Sequence, residues 1–77
     1  MRNNPYIDYL VDEMSAFIDN TIFYKDIDKV IARNIYVESM SVEKCADLIN
    51  YEPKSVQNRL PLIRSRLDAT IHRQYRQ

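Results

Sequence analysis

The chain has 77 residues, with 11 basic and 11 acidic side chains, no glycine and one cysteine. This length predicts one small domain, and a hydrophobic content of 45% is too high for a disordered chain. The composition excludes a glycine-rich phosphate loop and an internal disulfide, no apolar run approaches the ~20 residues of a membrane span, and the first residues lack the apolar core of a signal peptide; the expected setting is reducing, cytoplasmic and free of membrane.

Asn4-Pro5 reads as a helix start, with asparagine as cap and proline in the first position. Ile7, Leu10, Val11, Met14, Phe17 and Ile18 recur at helical spacing and predict a helix over 5–19, with Asp8, Asp12, Glu13 and Asp19 on its other face. A connector follows over 20–25, in which Ile22 and Phe23 are expected to reach the core. A second, supporting helix is predicted over 26–38, with Ile27, Val30, Ile31, Ile35 and Val37 inward and Asp26 and Asp28 on an exposed first turn, where the helix dipole favours negative charge.

Glu38 to Met40 form a short joint, and Ser41 can cap a third helix over 42–49 whose inward residues are Val42, Cys45, Ala46, Leu48 and Ile49. Asn50 tolerates the left-handed conformation that ends helices, Tyr51 and Glu52 complete a tight bend, and Pro53 opens the next helix over 53–60, anchored by Val56 and Leu60. Pro61 lacks a donor and crowds the carbonyl of Gln57, so this helix is expected to end or kink near Leu60, with a basic helix over 61–75 beyond it. Tyr6, Tyr9, Tyr24 and Tyr36 are expected at the edge of the core with hydroxyls in water, and Tyr51 between the two helices that flank the bend. The fold class is therefore all-α: a single domain over 1–77, built as a helix-turn-helix three-helix unit with an N-terminal helix and a C-terminal helical extension.

The balanced net charge conceals strong polarisation. Residues 53–77 hold Lys54, Arg59, Arg64, Arg66, Arg73 and Arg76 against Asp68 alone, a net +5, which leaves −5 on residues 1–52. Positive charge thus coincides with the second helix of the bent unit, the element that a helix-turn-helix places in the DNA major groove. Ala46 is small where the helices cross, and the outer side of the second helix offers Lys54, Ser55, Gln57, Asn58 and Arg59. Gln57 and Asn58 are the first candidates for base contacts, since their amides can pair with adenine edges, and Lys54, which can reach guanine or phosphate, is next; Ser55, Arg59, Arg64 and Arg66 suit the phosphate backbone. The implied partner is double-stranded DNA, read as a homodimer across two half-sites. Cys45 is a small core residue and His72 a surface residue of a basic helix. Nothing orients Cys45 or a serine against His72, so no catalytic set, metal or cofactor is expected.

Residues 38–60 run, without a gap, Glu38-Ser39-Met40, Ser41, Cys45-Ala46, Asp47, Leu48-Ile49, Asn50, Tyr51, Glu52-Pro53, Lys54, Ser55-Val56, Gln57-Asn58 and Arg59-Leu60. This register resembles the helix-turn-helix of sigma factor region 4, and with the preceding helix the resemblance covers about residues 26–67. Asn50-Tyr51, Ser55-Val56 and the small size are most similar to phage regulators of the ArpU and RinA type. Cys45 stands where that family usually has isoleucine, Glu52 replaces a capping serine, and Pro61 is unusual. The resemblance implies a DNA-binding transcriptional regulator of a phage or mobile element, with RNA polymerase as a further candidate partner. Two other classes share these features: a protein-interaction module that uses the acidic half, and a DNA-packaging or recombination accessory protein.

Overall fold

The computed structural model describes residues 4–75, the side chain of Tyr75 apart; Arg76, counted above in the basic third, lies outside them. The chain is all-helical: α1 Val11–Asp19, α2 Asp26–Ala32 continued by a π-helical turn Arg33–Val37, α3 Val42–Ile49 and α4 Pro53–Tyr75. At 23 residues α4 is the longest element and spans about 35 Å. It carries Val56, Ile63 and Leu67, all fully buried, into a core completed by Met14, Phe17, Ile18, Ile31, Ala32, Tyr36, Cys45 and Ala46. Among the described residues no helix is long and apolar enough to cross a membrane.

The N-terminal segment departs from the expected helix over 5–19. The Asn4 Oδ1 accepts the Tyr6 N–H at 2.9 Å, and Tyr9 N–H closes a turn on the Tyr6 carbonyl at 3.1 Å, so the chain turns before it becomes helical. α1 starts at Val11, where the Glu13 carboxylate reaches back to the Leu10 N–H at 2.9 Å; leucine has no acceptor, so only this half of a capping box forms. The turn inverts the expected facing. Tyr6 and Tyr9 point inward, while Ile7, Leu10 and Val11 are 71%, 70% and 60% exposed. Two ring contacts drive this: Tyr6 meets Tyr36 edge-on at 4.9 Å, and Tyr9 meets Phe17 likewise at 5.4 Å. Tyr6 and Tyr36 are also not edge residues with wet hydroxyls. Both are buried, and the Tyr6 hydroxyl donates to the Asp68 carboxylate at 2.7 Å across 62 residues.

Other expected core positions lie outside it for the same kind of reason. Ile22 is 78% exposed, while Phe23 does pack against the core. Val30 and Leu48 face solvent because Ile31 and Ala32 on α2, and Cys45 and Ala46 on α3, define arcs that exclude them. Tyr51 is exposed rather than sandwiched. The supporting helix ends early as an α-helix: Glu38 N–H bonds to the Arg33 carbonyl at 3.0 Å in the wider π register, and Ser39 then takes φ 60° to turn the chain into α3. Thr21 and Thr70, both buried, bring their hydroxyls to 2.7 Å, and each also meets a helix carbonyl, of Phe17 and Arg66 respectively.

Pro61 does not end the last helix. It lies inside α4, which is one element where two were expected. The neighbouring residues explain the tolerance, because Leu60, Ile63 and Leu67 are all held in or against the core and bridge the site of the missing hydrogen bond. Since proline in a helix interior costs ~3 kcal/mol, Pro61→Ala is expected to stabilise the protein by ~1–3 kcal/mol in urea unfolding, after allowance for the looser unfolded chain. A loss of stability would contradict a continuous α4.

The tyrosines also set an alkaline limit. Burial foremost, then the hydrogen bond to Asp68, pushes the Tyr6 hydroxyl well above its ordinary value of 10.0, and burial raises Tyr36 against the opposing pull of Arg64. Both stay protonated in the folded chain after the unfolded chain has ionised. Their stabilisation is therefore complete below about pH 10 and is lost as pH rises beyond it. Urea midpoints should fall more steeply above about pH 10 for the wild type than for a Tyr6→Phe/Tyr36→Phe variant.

Candidate nucleic-acid interface

The bent unit forms as its residue types dictate. The Ser41 Oγ accepts the Lys44 N–H at 3.1 Å and caps α3. α3 ends at Asn50, which adopts φ 61°, ψ 42°. Tyr51 N–H bonds to the Ala46 carbonyl at 2.8 Å and Asn50 N–H to that of Asp47 at 3.3 Å, the paired bonds of a Schellman motif. Pro53 begins α4, where its missing donor costs nothing, and Val56 N–H bonds back to the Glu52 carbonyl at 3.2 Å. Ala46 and Val56, 1% and 0% exposed, mark the crossing of the two helices.

The orientation of α4 is set by a contact between residues 31 positions apart in the chain. Asp28, expected on an exposed first turn, is fully buried. Its two carboxylate oxygens accept from Arg59 Nε at 2.8 Å and Nη2 at 2.6 Å. This is a bidentate pair with a side chain 19% exposed on the arginine and 0% on the aspartate. The hydrogen bonds to Asp28 hold the guanidinium above its already high ordinary range. A signal for this was present: Asp28 sits three residues before Ile31 and four before Ala32, inside the apolar arc of its helix, where a solvated carboxylate has no place.

The seven residues singled out from the sequence therefore divide. Lys54, Ser55, Gln57 and Asn58 are exposed on the first turns of α4, and among the described residues no hydrogen bond or ion pair engages their side chains. The three arginines are committed. Arg59, expected on the phosphate backbone, faces inward to Asp28 instead. Arg66 donates from Nε to the Ile22 carbonyl at 2.8 Å and lies 5.4 Å from the centre of the Tyr24 ring. Arg64 is half-buried with Nη1 3.5 Å from the Tyr36 hydroxyl. Arg64 and Gln57 also line a groove of about 690 Å³ between α4 and the joint that precedes α3, with Met40, Val42 and Leu60 among its apolar walls.

The first turn of α4 is electrically unlike the others. α1, α2 and α3 each place acidic residues there, Asp12 and Glu13, Asp26 and Asp28, and Glu43; α4 has none and carries Lys54. A cation at a helix N-terminus opposes the dipole by some 0.3–1 kcal/mol. Positive charge, free N–H groups and uncommitted amides thus converge on one end of α4, an arrangement suited to an anionic partner with hydrogen-bonding edges.

Removing Arg59 alone would strand a buried carboxylate. Arg59→Met is expected to cost ~3–5 kcal/mol, while Asp28→Leu/Arg59→Met should cost much less than that single change. Urea unfolding of the two variants measures this, and a double variant no more stable than the single one would count against the pair. Comparison of the chain with known protein families, curated proteins and solved structures finds no match.

Proposed function

We propose that this protein is a sequence-specific DNA-binding regulator of transcription, with α4 entering the major groove by its N-terminal turns and a homodimer reading two half-sites. The observation that carries the reading is the set of uncommitted Lys54, Ser55, Gln57 and Asn58 on a helix held firmly from behind by Asp28. Base readout needs amides free to form bidentate pairs on a firmly positioned helix; the two amides are uncommitted, and the Asp28–Arg59 pair fastens α4. Lys54 and Ser55 serve the phosphates, and Gln57 and Asn58 serve the base edges. Arg64 and Arg66 keep part of their surface exposed and add salt-dependent attraction. Arg59 leaves the contact set and becomes the residue that orients it. A phage or mobile-element origin, and the likeness to sigma region 4, rest on the sequence of about residues 26–67 and on the small size of the chain.

Selection from random duplexes, followed by fluorescence anisotropy on the selected and a scrambled duplex, tests this. Gln57→Ala and Asn58→Ala are each expected to weaken the selected complex by ~1–3 kcal/mol and to leave the scrambled one nearly unchanged. Lys54→Ala should weaken both and lower the salt slope by about 0.9. Equal losses on both duplexes from the Gln57 change, or no association with any duplex at low ionic strength, would refute the assignment.

A further inference from the structure

Among the described residues two apolar patches are unpartnered, and they carry opposite charge. The first is the outer side of the N-terminal segment, where Ile7, Leu10 and Val11 are 60–71% exposed. This segment is held from within by the Tyr6–Asp68 hydrogen bond, by the Tyr6–Tyr36 and Tyr9–Phe17 ring contacts and by the Glu13 bond to Leu10 N–H. Its three aliphatic side chains are therefore presented in a fixed place. Asp8 and Asp12, both exposed, flank them. Three large aliphatics within five residues, kept in water by a segment that has folded, mark a contact surface.

The second patch is gathered by Arg66. Its guanidinium binds the Ile22 carbonyl and lies over the Tyr24 ring, and Leu62 stands one turn before it on α4. Ile22, Tyr24 and Leu62 are 78%, 62% and 42% exposed. Beside Ile22 a hollow of about 360 Å³ is lined by Lys25 and Lys29 against Asp26, and Lys29 lies 3.6 Å from Asp19. With Arg66 at its other side, the patch is apolar with a net basic rim.

We infer that a second copy of this chain is the occupant of both. In a two-fold dimer, Ile7, Leu10 and Val11 of each copy seat on Ile22, Tyr24 and Leu62 of the other, with Asp8 and Asp12 facing Arg66 and Lys25. The charges select this pairing. First patch on first patch would bring Asp8 and Asp12 of two copies together, and second on second would oppose two Arg66 side chains; only the crossed arrangement is complementary. A two-fold axis closes both contacts at once and leaves no open end for further growth. Leu62 and Arg66 lie beyond Asn58 along α4, so the second patch does not include the first turns of that helix. The inference does not rest on DNA binding, since the dimer forms without a ligand.

Light scattering on the full chain at tens of micromolar is the test. The wild type should have twice the 9.2 kDa monomer mass. Leu10→Glu and Ile22→Glu should each raise the dimer dissociation constant by at least about tenfold, with unchanged circular dichroism because both side chains are on the surface, and with a melting temperature lowered only by the loss of association. Mixing the two variants should restore an intermediate dimer, since one crossed contact of the two remains intact in the heterodimer. A monomeric wild type, no effect of either substitution, or no gain on mixing would each overturn the crossed arrangement, the last by showing that like patches pair.

Discussion

The molecule turns on the buried carboxylate of Asp28. A carboxylate with no access to water is costly unless its oxygens are satisfied by a charged donor, and here both are, by one guanidinium from the helix that follows the bend. A pair of this kind contributes little net stability compared with two well-packed apolar residues. It contributes uniqueness. A sliding or rotating α4 would separate the ions within the core, so the pair disfavours other rotations and axial positions of α4 relative to α2. Hydrophobic contacts such as Val56 and Ile63 supply the attraction between the helices, and the ion pair selects among the packings that such contacts allow.

That division separates two uses of charge on one helix. Arg59, Arg64 and Arg66 each reach backwards, to Asp28, Tyr36 and the Ile22 carbonyl, and so fasten α4 along its length to the earlier elements. Among the described residues, no hydrogen bond or ion pair engages the side chains of Lys54, Gln57 and Asn58. Counting basic residues in the last third therefore overstates how many are available to a partner. The available groups are concentrated at the N-terminal end of α4, where the dipole adds to them, and the fastened ones hold that end still.

What could be read in the sequence was what local chemistry decides. Ser41 as a cap, Asn50 in the left-handed region, Pro53 at a helix start and the inward Cys45-Ala46 pair follow from properties of single residues and their immediate neighbours, and each is found in the structure. What could not be read depended on partners far along the chain. Asp28 looked solvated because Arg59 is 31 residues away, and Tyr6 looked peripheral because Asp68 is 62 residues away. The apolar spacing of Ile7, Leu10 and Val11 is consistent with a buried helix face. The ring contacts of Tyr6 and Tyr9 outweigh it by turning the opposite side inward. Pro61 is the converse case: its local penalty is real, but the packing of its neighbours exceeds it. The four uncommitted residues at the start of α4 were legible as a group; the fate of Arg59 was not.

The single thiol has a consequence of its own. Cys45 is sealed between α3 and the π-helical turn, with its sulfur 3.7 Å from the Asn34 amide nitrogen, and no solvent reaches it. A reagent can modify it only when α3 swings away from the rest of the molecule. The rate at which a maleimide or disulfide probe consumes this sulfur thus reads how often the bend comes apart. The chain carries its own clock for the breathing of α3, with no label to engineer.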